Sequence, residues 1–188
     1  MDSKDPSREF KRFRSSFYKS SRIKECFHFD HSSCSNNIIS AHSLQRSGVL
    51  DLLEEEVNGN LSIYSFLNIE YDSAGKASGF TPLGKKSAST FYGFCGYHDT
   101  EVFKKIENND IDLENDEHCF LLSYRGFAKE YHAKKETLQG YQTNEFYQKR
   151  VHKSVRNSLI ESSKLGLRDC EIVKSRLNQI LRQEQYSE

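Results

Sequence analysis

The feature that most restricts the fold is a divided set of soft metal ligands. Cys26-Phe27-His28-Phe29-Asp30-His31-Ser32-Ser33-Cys34 is followed, sixty-one residues after its last Cys, by Cys95-Gly96-Tyr97-His98. Tetrahedral zinc takes four sulfur or nitrogen donors, and two sequence-local pairs supply them: a loop presents two side chains from one side, and a C-x2-H turn at the head of a helix presents two from the other. The x2 spacing lets Cys95 and His98 converge on one ion. Seven residues separate Cys26 from Cys34, more than the usual two to four or so, and His28 and His31 inside that loop can each substitute for Cys26. The expected set is Cys26, Cys34, Cys95 and His98 around a structural Zn2+. Cys119 and Cys170 have no ligand-like neighbours at useful spacing and read as helix packing residues. His118 adjoins Cys119, but adjacent side chains on a helix point in different directions.

A metal also answers a difficulty of composition. The chain is 36% hydrophobic and 29% charged, which predicts a modest core, while 12% aromatic content argues against wholesale disorder. Where a site exists only in the folded state, zinc binding free energy becomes folding free energy. The segment 25–110 is therefore expected to loosen without its metal.

Local patterns give the elements. Phe10, Phe13 and Phe17 at helical spacing predict a short docked helix within residues 1–22, behind a frayed start. Asn37 to Ala41 reads as a strand, Leu44 to Val57 as a helix capped by Ser43, and Asn60 to Asn68 as a strand after the Asn58-Gly59 turn. Residues 71–90, rich in Gly and Ser, read as a long loop. Thr90 to Phe94 reads as a strand, and a helix is expected from Asp99. Phe120, Leu121, Tyr124, Phe127, Ala128 and Tyr131 recur at intervals of three and four and predict an amphipathic helix over Asp116 to Lys135. After a break at Gly140, two further helices are expected, Asn144 to Ser163 and Leu167 to Gln185.

These residues resemble a known arrangement. A cysteine knuckle, then the strand Ile38-Ile39-Ser40-Ala41-His42, then an aromatic strand running into Phe94-Cys95-Gly96-Tyr97-His98-Asp99 and a helix, is similar to the treble-clef, or ββα-metal, core of HNH endonucleases. The resemblance covers about residues 24–108. It implies that Cys26, Cys34, Cys95 and His98 hold a structural zinc, with His98 in the place of a Cys. It implies that His42 is the general base and that Asp99 occupies the position of a ligand to a catalytic Mg2+ or Mn2+. Ala41 falls where that family places a second ligand and cannot bind a metal. The layout also resembles a small set of bacterial and mobile-element proteins, a likeness that establishes no activity.

Equal numbers of basic and acidic residues, 27 of each, give a formal charge of zero, but the zero is a cancellation. Residues 1–24 carry +5, 25–42 carry −2, 43–117 carry −8 and 118–188 carry +5. Basic ends can meet phosphate, a partner's acidic surface, or the chain's own acidic middle.

Other chemistries lack their patterns. Ala74 to Gly79 has no phosphate-loop spacing, and Gly84-Lys85-Lys86-Ser87 lacks the upstream Gly and reads as an exposed basic loop. There is no G-x-S-x-G elbow. Glu54, Glu55 and Glu56 are consecutive and would spread around a helix. Tyr124-Arg125 and Tyr131-His132 offer a recognition surface, but the tyrosines sit at core spacing and read as core. No apolar run reaches the ~18 residues of a membrane span, and the charged first twenty-four residues contain no signal-peptide stretch. With an odd number of Cys, five, the expectation is a cytoplasmic protein with reduced thiols.

The resulting expectation is an α+β protein: a basic segment 1–23, a zinc-binding treble-clef domain 24–110 and a helical region 111–188. Its expected role is action on DNA or RNA, with metal-dependent phosphodiester cleavage centred on His42 and Asp99. The rival is a non-catalytic, zinc-stabilised module that docks a protein partner through its C-terminal helices, and a third reading is DNA or RNA binding without cleavage.

Overall fold

The computed structural model describes residues 6–71, 77–107 and 109–187. It is a small mixed α+β core of two short sheets and a helix, followed by additional C-terminal helices. Helix α1 (Pro6–Ser21) precedes a knuckle, and β1 (Ile38–His42) then pairs antiparallel with β5 (Thr90–Cys95), which runs directly into α2 (Gly96–Glu107). Between β1 and β5 lies a second antiparallel sheet of order β2 (Glu55–Val57), β3 (Asn60–Tyr71), β4 (Ala77–Gly84). Three helices complete the chain: α3 (Asp116–Thr143), α4 (Glu145–Arg150) and α5 (Lys153–Gln183).

The β1–β5 pairing carries a bulge that sets up the knuckle. Ile39 pairs with Phe94 and Ala41 with Phe91, so β5 takes three steps where β1 takes two. The carbonyls of Tyr92 and Gly93, released at the bulge, accept the N–H groups of Glu25 and Phe27 at 3.2 and 2.7 Å. Cys26 is thereby held beside the end of β5. Gly93 is required here, because a Cβ would lie 2.2 Å from the Phe91 ring.

The aromatic residues fill the core. Phe94, Phe103, Ile106, Tyr124 and Ala128 are fully buried, and Phe27 meets Phe94, Tyr124 and Tyr131 edge-on with ring centroids 5.2 to 6.1 Å apart. Each such ring contributes about 1.5–3 kcal/mol by leaving water, and the T-shaped contacts add to it. Tyr124 and Tyr131 are core residues, as their spacing predicts. Their hydroxyls reach α5, Tyr124 Oη donating to Asn178 Oδ1 at 2.8 Å and Tyr131 Oη to Glu171. Cys170 packs against the same core, and Cys119 turns its Sγ to the Leu113 carbonyl.

Several expectations are corrected. Leu44 to Val57 is not a helix: it forms turns, a single 3-10 turn at Asp51–Leu53, and β2. Gly48 takes a left-handed φ of 112° and its N–H bonds Asp51 Oδ2, while Leu52, 87% exposed, has no core to face. The expected loop 71–90 contains β4, whose alternation is masked by its Gly and Ser; Pro82 is tolerated because β4 is an edge strand. Residues 72–76 of that loop, like the expected frayed start at 1–5, lie outside the described residues. Lys85 is not part of an exposed basic loop; it is largely covered and pairs with Asp51 and Glu54. Helix α2 begins at Gly96, three residues before Asp99, and α5 runs unbroken through Gly166.

The expected break at Gly140 is absent because that glycine serves packing. Helix α3 continues through it to Thr143, and a Cβ at Gly140 would lie 2.3 Å from the Phe17 ring. The phenylalanine face of α1 docks there, Phe13 lying tilted against Phe146 with centroids 4.5 Å apart and Phe17 beside Tyr141 and Tyr147. Buried Asn144 fixes the joint, donating to Ser16 Oγ and Ser20 Oγ while its Oδ1 caps α4 at the Phe146 N–H.

Candidate metal centre

The bulge at β5 and the first turn of α2 bring four donors to one point. Cys26, Cys34 and Cys95 Sγ and His98 Nδ1 all lie within 4.8 Å of one another. His98 Nδ1 is 3.4 Å from Cys26 Sγ, 3.5 Å from Cys34 Sγ and 3.2 Å from Cys95 Sγ. Around a tetrahedral zinc with ordinary bond lengths, nitrogen and sulfur ligands stand about 3.6 Å apart. One imidazole nitrogen close to three sulfurs at nearly equal distance is the geometry of a shared ion, since one ring nitrogen, with a single proton or a single lone pair, can serve only one hydrogen-bond partner. The four residues form a Cys3His cluster able to coordinate a metal ion, and its donor set suits zinc. Cys26, Cys95 and His98 are buried and Cys34 half-buried, so four protein donors leave no open position for substrate.

The residues behind His98 fix its tautomer. Asp30 accepts Ser32 Oγ and Ser33 Oγ, each at 2.6 Å. With its proton on Asp30, Ser33 Oγ must accept from His98 Nε2–H, 3.1 Å away. Nδ1 is then left with its lone pair toward the sulfurs, the arrangement a metal-bound His requires. The hydroxyls of Ser32 and Ser33 hold the Asp30 carboxyl well below the usual carboxylate range. The sequence pattern contained this relay as an Asp followed by two serines, but gave it no partner sixty-five residues away. His28 and His31 do not join the donors: His28 instead stacks on His98 with centroids 3.8 Å apart.

Electrostatics call for a cation. Burial pushes the Cys34 thiol up to about 12, with Cys26 and Cys95 adding to the effect, and burial also raises Cys26. Burial pushes Cys95 the same way, but the His98 N–H and Ser35 outweigh it and bring that thiol below its ordinary value. Burial pushes the His98 imidazole below its ordinary value. Three thiolates cannot ionise side by side without a positive charge among them, and a divalent ion supplies it while releasing protons.

His42 and Asp99 belong to a second, separate constellation. His42 ends β1, and its Nδ1 lies 2.9 Å from the Ala88 carbonyl. A carbonyl only accepts, so Nδ1 carries the proton and Nε2 keeps a lone pair. Burial holds His42 below its ordinary value. The neighbouring Ala41 is 1% exposed and contributes a methyl group to the core. Asp99, one residue beyond His98, faces Arg125 instead of an ion: Arg125 Nη2 is 3.4 Å from Asp99 Oδ1, and Nη1 pairs with Glu107. The guanidinium is 2% exposed, sits 4.2 Å over the Phe103 ring, and leaves its buried Nε without a hydrogen-bond partner.

His42 feels the charges of Arg125 and Glu107, and Asp99 feels that of His42, so the four occupy one neighbourhood. Among the described residues no hydrogen bond joins His42 to Asp99, and no second group of three or more His, Cys, Asp or Glu donors converges on one point. Glu107 was not singled out in the sequence, and Arg125 only beside Tyr124 as part of a recognition surface; the signal for its buried role was a charged residue at an inward-facing position of the α3 stripe.

No protein-family model, no curated protein and no solved structure matches the chain. Among the described residues no helix is long and apolar enough to cross a membrane.

Proposed function

We propose that the Cys26, Cys34, Cys95 and His98 cluster holds a structural zinc ion, and that the chain is an HNH-like protein that binds nucleic acid without cleaving it by a metal-dependent route. The observation that carries the absence of cleavage is the pairing of Asp99 with Arg125, while the zinc rests on the Cys3His cluster and the nucleic acid on the ββα-metal likeness. The order knuckle, β1, β5, α2 around the cluster supports the ββα-metal likeness, and His42 at the end of β1, with Nε2 unprotonated, supports its place in it. The position of a catalytic ion, however, offers a methyl group at Ala41 and a carboxylate already neutralised by a buried guanidinium. A Mg2+ or Mn2+ ion would have to displace Arg125 from Asp99, leaving that guanidinium buried and half-paired, which is strongly unfavourable. The reduced thiols of the zinc cluster suit a cytoplasmic protein.

The test is to incubate the protein with plasmid DNA or RNA in Mg2+ or Mn2+, beside His42→Ala, and to measure binding by mobility shift in parallel. Binding is expected in both proteins, with no cutting above buffer. Cutting by the wild type that His42→Ala abolishes would establish the nuclease instead. A second function, docking a protein partner through the C-terminal helices, is favoured by Leu165, Ile172 and Val173, which α5 leaves 43 to 69% exposed.

A further inference from the structure

We infer that the outer face of α1 is the contact surface for the nucleic-acid phosphate backbone. This rests on the nucleic-acid binding proposed above and names the surface responsible. Lys11, Arg14, Tyr18, Lys19 and Arg22 recur at helical spacing and line one hollow on that face. From Lys11 to Lys19 the helix rises about 12 Å, and Arg22 continues the strip just past its end, enough to follow several phosphates. Lys11, Lys19, Arg22 and Lys24 make no ion pair among the described residues, while the acids at the two ends of the strip are engaged elsewhere, Glu9 with Arg150 and Glu25 with Lys135. Lys85, Lys105, Arg125, Lys135, Lys149 and Lys164, by contrast, all have carboxylate partners. The charges of Lys11, Lys19, Arg22 and Lys24 are thus not spent on the acidic middle among the described residues.

The chemistry of the strip selects nucleic acid among polyanions. A basic helix with Phe10, Phe13 and Phe17 opposite its cations has the pattern of a membrane-surface helix, but Phe13 and Phe17 are committed to Phe146, Tyr141 and Tyr147. An acidic peptide would need charge alone. Here Tyr18 is half-exposed among the cations and offers a ring for base stacking beside phosphates, while the Tyr92 ring, with Arg22 and Lys24 over it at 5.3 and 4.9 Å, holds those two cations at the end of the strip. The strip also leads toward the proposed site. Arg14 and Tyr18 line a second hollow that reaches Thr90 and Phe91, and Thr90 is the strand partner of His42.

The test compares the wild type with Lys11→Gln/Lys19→Gln/Arg22→Gln and with a charge-matched control, Lys86→Gln/Lys104→Gln/Lys164→Gln. Fluorescence anisotropy is read with labelled single-stranded and duplex DNA and RNA, with a polyglutamate peptide, and with phosphatidylserine vesicles, across a salt series. With four or five phosphates engaged, the logarithm of wild-type affinity should fall against that of salt with a slope of about −4 on duplex and about −3 on single strands. The strip variant should lose at least about tenfold in affinity at low salt and flatten the slope by about one per cation removed, while the control keeps both.

Equal loss in strip variant and control, or in neither, overturns the assignment of the surface and leaves nucleic-acid binding standing. A wild type that binds neither DNA nor RNA overturns both. Polyglutamate or vesicles bound as tightly as oligonucleotide overturn the choice of partner. Zinc content and melting temperature check the fold of the variants, and if the triple variant is impaired, Lys11→Gln and Lys19→Gln singly should each flatten the slope by about one.

Discussion

Two adjacent residues on the first turn of α2 serve two sites that solve the same electrostatic problem differently. His98 joins three thiols that can ionise together only around a cation, and the cluster is built to take that cation from solution. Asp99 joins Glu107 around a cation the chain provides itself, the guanidinium of Arg125. The first site is incomplete without an exchangeable ion, whereas the second is complete on folding. That difference separates a site whose occupancy the environment controls from one whose occupancy is fixed by sequence. On the ββα-metal likeness proposed above, the helix that would hold a catalytic metal presents a carboxylate that is already taken.

The comparison breaks most visibly if metal is withdrawn. Structural zinc contributes about 10–16 kcal/mol of apparent binding free energy in small domains, far more than a modest core can replace. Chelation at neutral pH, or Cys95→Ser, should therefore collapse amide dispersion across residues 25–110 and lower the melting temperature. About one zinc per chain should be found in the untreated protein by elemental analysis. A protein that melts unchanged after chelation would place the stability of this region in the aromatic core alone.

The next effect tests the other site. Arg125→Ala leaves Asp99 and Glu107 partly buried with no counter-charge, a loss of about 3–5 kcal/mol by analogy with broken buried pairs. It also leaves two carboxylates that face one cation without it. Mg2+ or Mn2+ should then raise the melting temperature of Arg125→Ala through binding to the folded state and leave the wild type unchanged. If the ions stabilise both proteins alike, Arg125 does not block the position.

The two sites also differed in how far the sequence revealed them. Four donors in two short spacings were legible because sulfur and imidazole at such intervals have few other uses, and the knuckle-to-helix order followed from them. The Arg125 site was not, because its pairs span eighteen and twenty-six residues and Arg125 sits within an apolar stripe that reads as core. The same limit explains the fold errors. Leu50, Leu53 and Val57 mimic a helix face where only Leu50 found a buried place, and β4 hid behind Gly and Ser. Gly140 read as a break because its reason, the Phe17 ring, lies more than a hundred residues away.

Smaller in scale is the relay behind His98. Removing an outer-shell partner of a metal-bound His costs about 10–100-fold in metal affinity. Ser33→Ala deletes the acceptor of His98 Nε2–H, so competition against a chromophoric chelator should show weaker zinc binding in that range, with the fold intact when zinc is in excess. Asp30→Asn should weaken binding less, because an amide oxygen can still accept from Ser33 and preserve the relay. An unchanged affinity in Ser33→Ala would mean that packing against His28 alone orients the ring.

The smallest effect lies in the titration of His42. Burial holds its imidazole below the ordinary value of 6.5 in the folded chain, while the unfolded chain recovers that value. As pH falls through 6.5 the unfolded state therefore gains a proton that the folded state does not. Stability is full above 6.5, declines as pH drops below it, and stops declining from this source once the folded His42 also protonates. The slope cannot exceed about 1.4 kcal/mol per pH unit, and partial exposure of the ring keeps it well below that ceiling. Acid also releases zinc, so the two contributions must be separated. The difference in denaturant-unfolding free energy between wild type and His42→Gln, followed from pH 8 to pH 5 with zinc in excess, isolates the imidazole, because the amide keeps a donor for the Ala88 carbonyl and does not titrate. A difference that changes with pH below 6.5 marks a neutral His42 with Nε2 available. A difference constant across the series would mean that His42 titrates as in water and that the Ala88 carbonyl does not fix its tautomer.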